Sequence, residues 1–164
     1  MNDSMEFWSF PPAYDRDYMP SSGSQYWFPV RETMDAGERG RQILLRLQQV
    51  MDYAYEHSEF YRRKWEDAGI HPEHIRSLED FERVPVVTKQ ELREAQERAQ
   101  PFGDYLCIPD SEVHHIHGTS GTTGRPTAFA IGRDDWKTIA ENQARILWAM
   151  GLRPGDMIFV SAIF

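Results

Sequence analysis

Residues 119–127 read Thr119-Ser120-Gly121-Thr122-Thr123-Gly124-Arg125-Pro126-Thr127, five hydroxyl side chains, two glycines and a proline in nine positions. A loop of this composition can turn several backbone N–H groups and hydroxyls toward a single anion, and glycine lets the backbone approach closely. The chemistry it points to is the holding of phosphate. The competing use of so many Ser, Thr and Gly residues is a plain turn between two strands.

The better-known phosphate loops do not fit. A Walker A loop needs two glycines five apart followed by Lys, whereas Gly118 and Gly124 are six apart and Arg125 follows. The dinucleotide fingerprint fails because Thr119 stands where its first glycine belongs. Among the other candidates, strand alternation sets His115 and His117 on one face and His114 on the other. No carboxylate follows them to complete a metal site, so no metal ligands are assigned. His117, just before the loop, is placed to support it or to face a substrate.

A loop aimed at an anion needs rigid elements on both sides. Val113, His115 and His117 alternate with His114 and Ile116 as a strand entering the loop, and residues 127–131 form one leaving it. Upstream, Ile43, Leu44, Leu47, Val50, Met51 and Ala54 recur at helical spacing, predicting a helix over 36–56 with Asp35 as its N-cap. A second helix is predicted over 59–67, with Gly69 just beyond its end. Thr88-Lys89-Gln90-Glu91 has the form of a capping box and starts a helix toward Arg98 that Pro101 prevents from extending.

Downstream, a helix over 134–150 places Trp136, Ile139, Ala140, Gln143, Ile146, Leu147 and Met150 on one apolar face, with Gly151 ending it. Residues 153–156 then turn into the apolar run 157–164, which reads as a buried strand of an α/β sheet. Trp136 and Trp148 are expected in the core, and Tyr53, Tyr55, Tyr61 and Trp65 are expected to pack helices together. The charged run 91–98 reads as a solvated helix face, and Cys107 as a small buried apolar residue.

Composition narrows the class. At 164 residues and 40% hydrophobic content the chain can bury a core, and its net charge of −8 argues against a nucleic-acid partner. One cysteine excludes an internal disulfide. No apolar run approaches a membrane span, and the first residues lack the basic and apolar parts of a signal peptide, so no membrane partner is expected and the location expected is cytoplasmic. Residues 1–25, rich in Pro, Ser and aromatics without an apolar period, read as a poorly ordered leader.

The loop resembles the phosphate loop of the acyl-adenylate-forming enzymes, [ST]-[ST]-G-[ST]-T-G-x-P, which residues 119–126 fill at every specified position. Thr127 follows the proline where many members carry Lys, and this points to the phenylacetate–CoA ligase branch, which resembles S-S-G-T-T-G-K-P-T. Arg125 replaces that branch's lysine and keeps its charge. The resemblance extends upstream through Trp27-Phe28-Pro29-Val30-Arg31-Glu32-Thr33-Met34, Ser58-Glu59-Phe60-Tyr61, Ala68-Gly69-Ile70, Ile75-Arg76-Ser77-Leu78-Glu79-Asp80-Phe81 and Val84-Pro85-Val86-Val87-Thr88-Lys89.

The resemblance implies an α/β fold: a helical N-terminal region to about residue 100, then, from about 113, the start of the adenylate-forming enzymes' N-terminal sheet, incomplete at the C-terminus. Residues 26–164 would be an incomplete AMP-binding domain. It implies ATP, Mg²⁺ and the co-substrate CoA, and an aryl carboxylate such as phenylacetate as the small-molecule partner. Thr119, Ser120, Gly121, Thr122, Thr123, Gly124 and Arg125 would contact the ATP phosphates. The family's aromatic-Gly-x-Thr-Glu motif, ribose-binding Asp and terminal lysine-bearing domain have no counterpart in these residues, so no catalytic residue is assigned. Catalysis by this segment alone is not expected; a missing C-terminal portion or a complementing chain would finish the sheet, and the complete enzyme could form a homodimer. The alternatives are a non-catalytic half of a split enzyme, a degenerate remnant, or a relative that activates another aryl carboxylate.

Overall fold

The computed structural model describes residues 18–119 and 126–161. Helices α1 (Pro29–Glu32), α2 (Ala36–His57), α3 (Glu59–Asp67), α4 (Leu78–Phe81) and α5 (Lys89–Arg98) precede strands β1 (Val113–Gly118) and β2 (Ala128–Gly132), and helix α6 (Arg133–Ala149) follows. This is the mixed α/β arrangement the sequence predicts, helical first and sheet-bearing second.

The helix boundaries follow from local chemistry. Asp35 opens α2 by accepting hydrogen bonds from the N–H groups of Gly37 at 2.8 Å and Glu38 at 3.3 Å. The Glu38 and Gly37 N–H groups hold its carboxyl below the ordinary aspartate range. Ser58 ends α2 and starts α3: its N–H reaches the Ala54 carbonyl at 2.9 Å, and its hydroxyl accepts from Tyr61 N–H at 3.3 Å. After α3, Gly69 adopts φ +67°, and Ile70 N–H and Gly69 N–H return to the carbonyls of Trp65 and Glu66. This is a Schellman closure, and it needs a residue at ease with positive φ.

The core lies in this helical half. Met51 and Ala54 of α2, Trp65 of α3 and Ile75 are buried together, with Leu44, Tyr55, Tyr61, Ile70, Phe81, Val84 and Cys107 packed against them. The Tyr55 and Trp65 rings are parallel, with centroids 6.5 Å apart. Burial pushes the Cys107 thiol up, with the charge of Asp135 adding to the shift.

Helix α5 is capped as its sequence predicts. Thr88 accepts from Glu91 N–H at 3.3 Å, and the Glu91 carboxylate accepts from Thr88 N–H at 2.7 Å. Lys64 of α3 also binds Glu91, tying the two helices together. The Lys64 ammonium, then the Thr88 donors, hold the Glu91 carboxyl well below the usual 4.5, at about 2. A depressed folded-state pKa contributes stability above the unfolded value and loses it as pH falls from 4.5 toward 2. Denaturant midpoints across that window are expected to fall less steeply for Glu91→Gln than for the parent chain; parallel acid limbs would contradict the role given to this carboxylate.

Two expectations fail in the second half. β1 and β2 form a two-stranded antiparallel sheet, and residues 157–161 add no strand to it. Met157 and Phe159 are 98% and 92% exposed, not buried. The apolar face predicted for α6 is exposed as well, at Trp136, Ile139, Ile146 and Met150. The physical reason is the same in both cases: burial needs a partner surface, and two strands among the described residues are too narrow to provide one. Residues 162–164 lie outside the described residues.

Trp148, by contrast, is 4% exposed, and one of its partners, Ser24, comes from the stretch read as leader. Its indole N–H donates to the Ser24 carbonyl at 3.1 Å, Trp27 meets it edge-on at 5.6 Å, and the Arg153 guanidinium lies 3.9 Å above its ring. Tyr18 donates its hydroxyl hydrogen to the Trp27 carbonyl at 2.8 Å and meets the Phe28 ring edge-on. Arg31 pairs with Glu141 at 3.1 Å, fastening α1 to α6. Residues 18–25 are therefore held against the C-terminal end of α6; residues 1–17 lie outside the described residues.

Candidate functional site

β1 and β2 bring the two ends of the Ser/Thr/Gly stretch together. Their register pairs Gly118 with Ala128, His117 with Phe129, Ile116 with Ala130 and His115 with Ile131, with an irregularity between Val113 and His115. One residue past this ladder, Thr119 N–H donates to the Thr127 carbonyl at 3.1 Å, and Thr127 N–H donates to the Thr119 hydroxyl oxygen at 3.0 Å. Thr119 and Thr127 thus close a two-stranded stem.

Of the predicted phosphate contacts, Thr119 lies in this stem. Its N–H donates and its hydroxyl oxygen accepts there. Ser120, Gly121, Thr122, Thr123, Gly124 and Arg125 lie outside the described residues.

The stem is gripped from one side by residues that periodicity did not single out. Thr127 is fully buried, and its hydroxyl oxygen accepts from Arg93 Nε at 3.3 Å. The Gln96 side-chain amide donates to the Ala128 carbonyl and accepts from Ala128 N–H at 3.4 Å. Tyr105 adds a hydroxyl donor to the same carbonyl at 2.8 Å. Arg93 and Gln96 share a face of α5 because they are three residues apart. The run 91–98, expected to be a solvated face, therefore presents one side to the stem. A cleft of about 500 Å³ opens next to these contacts, bordered by Gln90, Glu97, Gln100 and Pro126.

The histidines lie on β1, the strand away from α5. His115 stacks on Trp136 of α6 with centroids 3.9 Å apart and planes 17° from parallel, and His117 meets the same indole edge-on at 6.2 Å. Both thus lie on the face toward α6, as strand alternation predicts. Their contact is with an aromatic ring. Among the described residues, no group of three or more His, Cys, Asp or Glu side chains converges as metal ligands would. No helix among them is long and apolar enough to cross a membrane.

No protein-family model matches the chain. Curated relatives do: it is 42% identical over 113 residues to the phenylacetate–coenzyme A ligase of Thermus thermophilus and 40% identical over 116 residues to that of Escherichia coli K12. These matches take in 69% and 71% of this chain but 24% and 25% of the relatives, so the chain spans about a quarter of their length.

Among solved structures, the fold is similar to 2-hydroxyisobutyryl-CoA ligase in the postadenylation state, in complex with 2-HIB-AMP. The TM-score is 0.92 and the identity 60%, over 98% of this chain and 34% of that one. The same ligase with 2-HIB-AMP and CoA, in the thioesterification state, gives 0.93 and 62%, over 97% of this chain and 34% of that one. In sequence and in fold, the chain belongs with the adenylate-forming CoA ligases and corresponds to a quarter to a third of such an enzyme.

Proposed function

We propose that the protein carrying this chain activates a small carboxylic acid with ATP and passes the acyl group to coenzyme A, and that residues 119–125 hold the ATP phosphates. A carboxylate oxygen attacks the α-phosphorus, forming the acyl-adenylate as the bond to pyrophosphate breaks. The CoA thiolate then attacks the acyl carbon, AMP leaves, and a thioester remains. A free carboxylate has no adequate leaving group on its acyl carbon; adenylation supplies one.

The loop's part is electrostatic. Hydroxyls of Ser120, Thr122 and Thr123 and the N–H groups of Gly121 and Gly124 would meet the β- and γ-phosphates, where charge grows as pyrophosphate departs. Arg125 would add a positive charge at the same end. Mg²⁺ would enter with ATP, bound by the phosphate oxygens, and offset their charge.

The observation that carries this reading is the hydroxyl- and glycine-rich sequence 120–125 borne on a gripped antiparallel stem. The 60% identity to a ligase in complex with an acyl-AMP supports it. The same likeness bears on the acid. Identity is 60% over 98% of the chain toward the 2-hydroxyisobutyryl-CoA ligase, against 42% over 69% toward the phenylacetate ligase. This favours a short branched 2-hydroxy acid over the aryl acetate that the sequence resemblance implied.

Carboxylate-dependent ATP–pyrophosphate exchange, measured on the whole protein, tests both parts. Exchange is expected with 2-hydroxyisobutyrate and to be weaker with phenylacetate. Preference for phenylacetate would overturn the choice of acid, and no exchange with any carboxylate would overturn the activity.

A further inference from the structure

The geometry points to Gln96 and Arg93 of α5 as positioning residues for the phosphate loop, a role that rests on the function proposed above. Ala128 stands opposite Gly118 in the ladder, yet both of its backbone polar groups bond to the Gln96 amide. The N–H and C=O of Ala128 therefore point away from β1, toward the open edge of β2, as alternate residues of an antiparallel strand do. A primary amide carries the same donor and acceptor as a peptide group. Gln96 thus completes the ladder for one residue, in place of a neighbouring strand.

Three residues earlier on the same helix face, Arg93 holds the buried hydroxyl of Thr127. Thr127 is in turn bonded across the stem to Thr119. The chain of contacts runs from α5 through residues 127 and 128 to residue 119, where the loop sequence begins. Helix α5 is itself anchored by its Thr88–Glu91 capping box and by Lys64. A stem held at both ends fixes where the donors of residues 120–125 begin and finish, and a phosphate site depends on such fixed placement.

Gln96→Met tests this in the whole protein, since it preserves side-chain length and removes both bonds to Ala128. The KM for ATP in pyrophosphate exchange is expected to rise about tenfold, as the loss of two ordinary hydrogen bonds implies, while the KM for the carboxylate stays within about twofold of the parent. Gln96→Glu, which keeps the acceptor but sets a carboxylate oxygen against the Ala128 carbonyl, is expected to behave as Met does. Hydrogen exchange at the Thr119 and Ala128 amides is expected to quicken in Gln96→Met, while the Met51 and Trp65 amides are unchanged.

A lower melting temperature with an unchanged KM for ATP would overturn the proposal, because a merely structural contact would act that way. The amide measurement does not depend on turnover. If the parent protein exchanged no pyrophosphate, the activity would fall, and unchanged exchange at residues 119 and 128 in Gln96→Met would still overturn the clamp on its own.

Discussion

Replacing Thr123 by Val is expected to lower ATP–pyrophosphate exchange by about 10²-fold, the usual effect of deleting one donor aimed at charge that develops in the transition state. Valine keeps the β-branched shape, so the change removes the hydroxyl and little else. The donor is assigned to the β- and γ-phosphates, which it would meet in bound ATP as well as in the leaving pyrophosphate, so the loss should appear in the KM for ATP as well as in kcat. Thr138→Val is the matching control. That hydroxyl donates to the Asp134 carbonyl within α6, at 3.0 Å, and its removal is expected to leave exchange within about twofold. Equal activity in the two variants would remove Thr123 from the phosphate site.

Trp65→Ala is expected to destabilise the helical half by about 3–5 kcal/mol, the range for emptying a large aromatic site in a core. Trp65 is 5% exposed, lies among Met51, Ala54 and Ile75, and is flanked by the Tyr55 and Tyr61 rings. Neighbours on α2, on α3 and at Ile75 cannot all collapse into the space that an indole leaves. Because whole domains are stable by only about 5–15 kcal/mol, this one change removes a large share. Trp136→Ala provides the contrast: at 36% exposure, with His115 on one face, it is expected to cost about 1 kcal/mol. Urea unfolding of both variants decides the matter, and similar midpoints would mean the core lies elsewhere.

Elements governed by local chemistry were legible in the sequence. The cap at Asp35, the Schellman glycine at position 69 and the Thr88–Glu91 box each act within a few residues, and the helices begin and end where these signals stand. The strands flanking the loop were legible too, because alternation over 113–117 is a short-range pattern, and the observed strand runs one residue further.

What escaped was set by distance along the chain. Arg93 and Gln96 reach the stem across sequence separations of 34 and 32 residues, and Tyr105 across 23. A charged run gives no local sign that one of its faces meets a strand edge. Conversely, periodicity reported correctly that 157–161 and one face of α6 are apolar, but apolar character alone does not supply the surface that buries them. Trp148 illustrates the same point from the other side, since its cover comes from Ser24 and Trp27, over a hundred residues earlier in the chain.

The most direct measurement is hydrogen exchange of the backbone amides over residues 118–128 in the whole protein, with and without Mg·ATP. Slowing is expected to concentrate in residues 120–125, where N–H groups would donate to the phosphates, with little change in α2 and α3. ATP-dependent turnover with no slowing in that stretch would contradict that phosphate contact.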